Sequence, residues 1–156
     1  MKIELWTIGK TAEAYLDKGI GIYEKRLKNY LPFQFEILPN SKLKTGEEHV
    51  VKQDEARLVL NKLQSTDFLV LLDERGKEFT SEGLAKWMET QLNAPHRRLI
   101  FLIGGAFGFH QDLYDRANAQ WSLSKLTFSH QMIRLFALEQ LYRAMTILKN
   151  EPYHNR

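Results

Sequence analysis

A glycine-rich turn set directly after a buried strand brings bare backbone amides within reach of a ligand. Gly104-Gly105-Ala106-Phe107-Gly108 has that form, because it follows the wholly apolar run Leu99-Ile100-Phe101-Leu102-Ile103. A dinucleotide fingerprint would read GxGxxG and open the first βαβ unit, and a P-loop would end in Gly-Lys-Ser/Thr; neither occurs here. From the residues alone, the turn is either a ligand cradle or a tight connection. A second apolar run, Phe68 to Leu72, leads into Asp73-Glu74-Arg75-Gly76. In a parallel sheet both run-ends lie at the carboxyl edge, where ligands sit. The chain has no cysteine, which excludes disulfides, thiolate metal sites and a cysteine nucleophile. His49, His96 and His110 lack metal-ligand spacing, so no metal is expected. His130 precedes a long helical segment, where it touches substrate or cofactor or hydrogen-bonds the helix start.

These groups need a scaffold to hold them. Residues 3–8 and 33–37 alternate as strands, and 68–72 and 99–103 are apolar enough to be strands covered on both faces. Leu16, Ile20, Tyr23, Leu27 and Tyr30 form a helical stripe over 11–30, ended by Pro32. A helix over 47–64 buries Ala56, Val59, Leu60 and Leu63; another, capped by Thr80 or Ser81, buries Leu84, Trp87, Met88 and Leu92. A short helix is expected over 110–119, an extended stretch over 121–128, and the longest helix over 131–149, followed by a short tail. The alternation predicts an α/β fold with a largely parallel sheet in a single domain, residues 1–156.

The last helix is apolar nearly all round, which implies burial on more than one side, by a central position or a dimer seam. Arg134 and Arg143 lie nine positions apart, so they point about 180° apart and do not converge on one site within a monomer. One can serve a partner's site; Arg134 otherwise reads as a solvated charge.

The 156 residues carry a formal charge of +3, which permits an anionic partner such as RNA without demanding one. Basic clusters at Lys25, Arg26 and Lys28, at Lys42 and Lys44, and at Arg97 and Arg98 read as solvated patches able to rest on phosphates. No signal peptide or membrane span is legible, so the expectation is a cytoplasmic protein with no membrane partner.

Four blocks in this order, Leu72-Asp73-Glu74-Arg75-Gly76-Lys77, Phe101-Leu102-Ile103-Gly104-Gly105, Ser122 to Phe128 and Glu139-Gln140-Leu141-Tyr142-Arg143-Ala144, lead to a closing Tyr153-His154. With the Ile8-Gly9-Lys10 start, they resemble the RlmH family of SPOUT-superfamily ribosomal RNA methyltransferases over essentially the full length. The sequence departs from the family pattern at Phe107 and at Asn155. The resemblance implies a SPOUT-type, mostly parallel sheet flanked by helices, a C-terminal trefoil knot and a homodimer. It also implies S-adenosylmethionine as methyl donor and methylation of N3 of a pseudouridine in 23S ribosomal RNA, on the assembled ribosome.

By the same resemblance, the cofactor is held by Leu72, Gly104 and the run Leu123, Ser124, Lys125, Leu126, Thr127 and Phe128. Methyl transfer to an imide nitrogen needs positioning and loss of a proton. Tyr153 and His154 are expected to place or deprotonate the base, and Arg143 to hold a phosphate or an oxygen. Two other readings stand beside this one: a noncatalytic ribosome- or RNA-binding protein with the same fold, and an unrelated nucleotide-binding α/β enzyme.

Overall fold

The computed structural model describes residues 1–42 and 47–155. Lys44 and Arg156, counted above among the basic residues and the tail, lie outside the described residues. Five parallel strands run in the order β2-β1-β4-β3-β5: β1 Lys2–Ile8, β2 Phe33–Leu38, β3 Asp67–Glu78, β4 Arg98–Ile103 and β5 Ala119–Ser122. The helices are α1 Ala14–Lys28, α2 Glu48–Lys62, α3 Ser81–Leu92, α4 Gln111–Arg116 and α5 Met132–Leu148.

The alternation along each strand sorts the core into two layers. Ile3, Leu5, Val70, Leu99 and Phe101 face the side covered by α1, α3 and α5. Trp6, Ile8, Leu69, Leu71, Ile100 and Leu102 face α2 and α4. With both faces covered, β3 and β4 have no solvent side, and this is why they read as unbroken apolar runs. The predicted stripes hold: Leu16, Ile20 and Leu27 of α1, Ala56 and Val59 of α2, and Leu84 and Met88 of α3 are buried. Thr80 caps α3 by accepting a hydrogen bond from the Gly83 N–H at 3.0 Å.

Three boundaries differ from the sequence reading. β3 runs on past Leu72 to Glu78, with a bulge: Leu72 and Lys77 both pair with Trp121, so residues 73–76 leave the ladder between them. Gly76 permits the return, because a Cβ there would stand 2.7 Å from the backbone of Gln120 and Trp121. α4 is shorter than 110–119, since Asn118 exchanges hydrogen bonds of 2.8 Å with both the N–H and the carbonyl of Leu69 and so starts the next strand. β5 ends at Ser122 instead of extending to Phe128. Ser122 Oγ donates to the Ser124 carbonyl and Ser124 Oγ accepts from the Leu126 N–H, local bonds that replace a strand ladder with a turn.

α5 packs between α1 and α3 and buries Ala137, Leu138, Leu141, Ala144 and Met145, but its first turns leave Met132 and Phe136 exposed. Arg134 is fully buried, so the expectation of a solvated charge is corrected. Its guanidinium donates to the carbonyls of Ile8 and Gly9 at 2.8 Å each, to Thr11 Oγ1 at 3.1 Å and to the His130 carbonyl at 3.1 Å. Arg98 is corrected likewise: it sits in an ion-pair network with Asp67 (2.6 Å) and Glu4 (3.2 Å) between the strands, not in a solvated patch. Among the described residues, no helix is long and apolar enough to cross a membrane.

Candidate active site

At the carboxyl ends of β3, β4 and β5 the chain opens a cleft of about 530 Å³, a size ordinary for a cofactor site. Ile103, Trp121 and Ser122 come from strand ends, Leu72 from β3 just before its bulge, residues 104–109 from the glycine loop, Leu123, Ser124 and residues 126–128 from the loop after β5, and Ile133 from α5. The structure therefore brings Leu72, Gly104, Leu123, Ser124, Leu126, Thr127 and Phe128 onto one cavity. Lys125, from the same run, is exposed and does not line it. The glycine loop forms a wall of the cleft as well as a turn. Gly108 adopts φ +81°, a left-handed conformation that favours glycine, and its Cα faces open space.

Polar side chains fix the mouth of this cleft. The β3 bulge places Asp73 against Tyr114 of α4, whose hydroxyl donates to it, and Arg75 donates to the same hydroxyl at 2.9 Å. Burial alone would raise the Asp73 pKa, yet the hydrogen bonds from Tyr114 and the Arg75 N–H, with the Arg75 charge, hold it below the usual carboxylate range. The same burial and the bond to Asp73 push the Tyr114 phenol up. Thr127 Oγ1 donates to Glu74 at 2.8 Å, tying the bulge to the loop after β5. His130 also lines the cleft. Burial, and then the Arg134 charge, lower its pKa, so its ring is neutral at physiological pH. Helix α5 is instead started by Ser129, whose hydroxyl accepts from the Met132 N–H.

Apolar walls, bare loop amides and few cations are the donor set that a sulfonium cofactor with an adenine end requires. Lys52 and Arg75 are the cations at the rim, and Asp73 and Glu74 stand with them.

Tyr153, His154 and Arg143 form a separate cluster and do not line this cleft. Asn150, at φ 56°, ends α5, with Glu151 N–H bonded to the Thr146 carbonyl and Asn150 N–H to that of Ile147. That left-handed cap reverses the chain and lays the tail back on its own helices. Arg143 contacts His154 Nδ1 at 3.1 Å and pairs with Glu139; Tyr153 donates to Glu139 at 3.0 Å and meets the Tyr23 hydroxyl at 3.1 Å. His154 Nε2 lies 3.3 Å from Glu82. Burial, then the bonds to Tyr23 and Glu139, push the Tyr153 phenol up, so it stays a donor. Arg143 lies ten residues beyond Ile133 on α5, about 15 Å along the axis. Within one chain, Arg143, Tyr153 and His154 do not reach the cleft.

Several site residues escaped the sequence reading. Glu139 opens one of the motif blocks, and its i,i+4 spacing to Arg143 signals the ion pair, but it carries no role in the sequence reading. Nothing in the sequence distinguishes Tyr114 or the buried Glu55 from surface residues, because their roles depend on neighbours distant along the chain. His110 is the N-cap of α4, its ring accepting from the Asp112 N–H at 3.1 Å. Arg26 stacks on Tyr23 and Tyr142, and Lys28 pairs with Glu24. Among the described residues, no group of three or more His, Asp or Glu could hold a metal ion.

Residues 1–154 match the family model described as "Predicted SPOUT methyltransferase". The "Ribosomal RNA large subunit methyltransferase H" of Cytophaga hutchinsonii is 52% identical over 155 residues, covering 99% of this chain and all of the relative. The protein of that name from Christiangramia forsetii is 52% identical over 157 residues, covering both chains fully. That from Parabacteroides distasonis is 49% identical over 156 residues, with 99% of each chain covered.

Proposed function

Because the chain belongs to the SPOUT methyltransferase family, we propose that it is a large-subunit ribosomal RNA methyltransferase. In this reading it uses S-adenosylmethionine to methylate N3 of a pseudouridine in 23S RNA, as a homodimer acting on the assembled ribosome. The observation that carries the reading is that the glycine loop and the run 122–128 line one cleft at the strand ends. The C-terminal trefoil knot belongs to the same proposal.

The bound cofactor supplies an electrophilic methyl group on a sulfonium sulfur. The residues of this chain bind, orient and shield it. Leu72, Leu123, Leu126 and Phe128 give the adenine and sulfonium an apolar surround, and the backbone of Gly104 and of residues 123–128 supplies hydrogen bonds to the polar edges. The Thr127–Glu74 bond holds the loop closed over the bulge. Positioning then dominates the rate, since the in-line approach tolerates little misalignment.

The dimer completes the site. Leu126 is 75% exposed, and Met132 and Phe136 are exposed on the first turns of α5, with Phe136 stacked 5.4 Å from Phe128. So many large apolar side chains around a cleft mark an interface. A two-fold partner seated there covers this rim and brings its own Arg143, Tyr153 and His154 to the mouth. Arg143 then holds a phosphate or carbonyl oxygen, and Tyr153 and His154 place the base.

The test is mass spectrometry of ribosomal RNA from cells lacking the gene, before and after adding purified protein and S-adenosylmethionine to their ribosomes. One methyl group on a large-subunit pseudouridine, absent at first and restored by the protein, is the expected result. RNA with unchanged methylation in the deletion strain would refute the function.

A further inference from the structure

A second cavity, of about 200 Å³, adjoins the cleft through the glycine loop: Gly105, Ala106, Phe107 and His130 line both. Its remaining lining is Ile8 from β1, Asn40 and Ser41 after β2, and Val51 and Glu55 from α2. Glu55 is only 8% exposed. Its carboxylate lies against Gly105, where an added Cβ would meet Oε2 at 2.8 Å and Oε1 at 2.9 Å. Glycine at 105 is therefore what leaves room for this carboxyl group beside the loop.

Among the described residues, no hydrogen bond or ion pair satisfies the Glu55 carboxylate. Burial, and then the neighbouring Asp54 charge, push its pKa up. A carboxyl group only 8% exposed costs stability, and a purely packing role would be better filled by an apolar side chain. The cavity has the makeup of a nucleobase site. Ile8 and Val51 are apolar walls, and the exposed Phe107 ring offers a stacking face. Asn40, His130 and Glu55 supply edge groups of both donor and acceptor type. A uracil-type ring is read along its imide edge as acceptor, N–H donor and acceptor. A carboxylate matches the central N–H, and amide or imidazole N–H groups match the carbonyls.

Resting on the function proposed above, we infer that this second cavity receives the extruded target base, with Glu55 facing its imide N–H. Glu55 is then the proton acceptor. The N–H bond breaks, the proton forms an O–H bond on the carboxyl group, and the electron pair stays on the ring nitrogen for the incoming methyl. Because the glycine loop is shared, base and methyl donor are held on adjoining surfaces of one short segment.

Glu55→Gln keeps the shape and loses the proton acceptor; Phe107→Ala removes the stacking face. The assay is single-turnover methyl transfer to ribosomes from cells lacking the gene, with S-adenosylmethionine affinity measured separately by calorimetry. For Glu55→Gln we expect a rate lower by about 100-fold, as for loss of a general base, with cofactor affinity within about twofold of wild type. For Phe107→Ala, steady-state transfer should give a KM for ribosomes about tenfold higher, with kcat less affected. A Glu55→Gln rate within about threefold of wild type, or a loss of cofactor affinity matching the loss of rate, overturns the inference; the second outcome would assign the carboxylate to the methyl donor. Should Glu55→Gln fail to fold by circular dichroism, the exposed Phe107 decides, and an unchanged KM overturns it. Wild-type protein that transfers no methyl group would instead refute the function itself.

Discussion

Replacing Arg134 with methionine should cost more stability than any other single change of an arginine to methionine in α5. The guanidinium ties residues 8–11 to the start of α5, and its two shortest bonds go to the buried carbonyls of Ile8 and Gly9, at 2.8 Å each. Methionine keeps much of the stem packing but leaves those acceptors without a donor, at about 1–3 kcal/mol each. Part of that loss is offset, because burial already disfavours the Arg134 charge and lowers its pKa. A net destabilisation of about 3 kcal/mol follows, which in a chain of this size moves Tm down by roughly 6–12 °C. Arg143→Met is the internal comparison. Arg143 is partly exposed, so losing its pair with Glu139 should cost about 1 kcal/mol or less. Urea denaturation with an unchanged m-value, alongside thermal melts, measures both. If Arg134→Met melts within about 3 °C of wild type, or costs less than Arg143→Met, the reasoning about the buried clamp is wrong.

Three further outcomes are expected. Gly104→Val should weaken S-adenosylmethionine binding by more than about tenfold, because even a Cβ there meets the Phe109 ring at 3.0 Å and the Gly108 carbonyl at 3.3 Å; unchanged affinity by calorimetry would remove the loop from the cofactor site. Truncation before Tyr153 should abolish methyl transfer to ribosomes and spare cofactor binding, since the tail does not line the cleft; full retained activity would take the tail out of the mechanism. Asp67→Asn should cost about 3 kcal/mol at neutral pH. The folded-state pKa of Asp67 lies below its ordinary value, with hydrogen bonds and charge from Arg98 outweighing burial. Its contribution is therefore present above about pH 4 and lost as pH falls through the lower folded pKa. Melts of the two proteins should converge in acid, and a gap that stays constant down to about pH 2 would contradict this.

Fold class was legible because its signals are local. Unbroken apolar runs of five residues at 68–72 and 99–103 read as strands covered on both sides, and the four- and three-residue gaps from Leu16 to Leu27 mark one buried helix stripe. The order of the motif blocks likewise pointed to the family without coordinates. At two of the three missed boundaries, long-range contacts overrode local pattern. The return of β3 after its bulge depends on Gly76 lying against β5. The early end of α4 depends on Asn118 reaching Leu69.

Arg134 and Arg143 show the division most plainly. Helical periodicity alone sets them on opposite faces of α5, and that relation is a property of the chain. Whether either charge meets water, a carbonyl or a substrate depends on what packs against each face. Ile8, Gly9 and Thr11 arrive from far along the chain to bury one. A left-handed turn at Asn150 folds the tail onto the other. Residue types and spacing determined which elements form and which groups are available for chemistry. Only tertiary packing decided which of those groups share a cavity, because proximity between distant segments, and the desolvation that comes with it, is written in no single stretch of sequence.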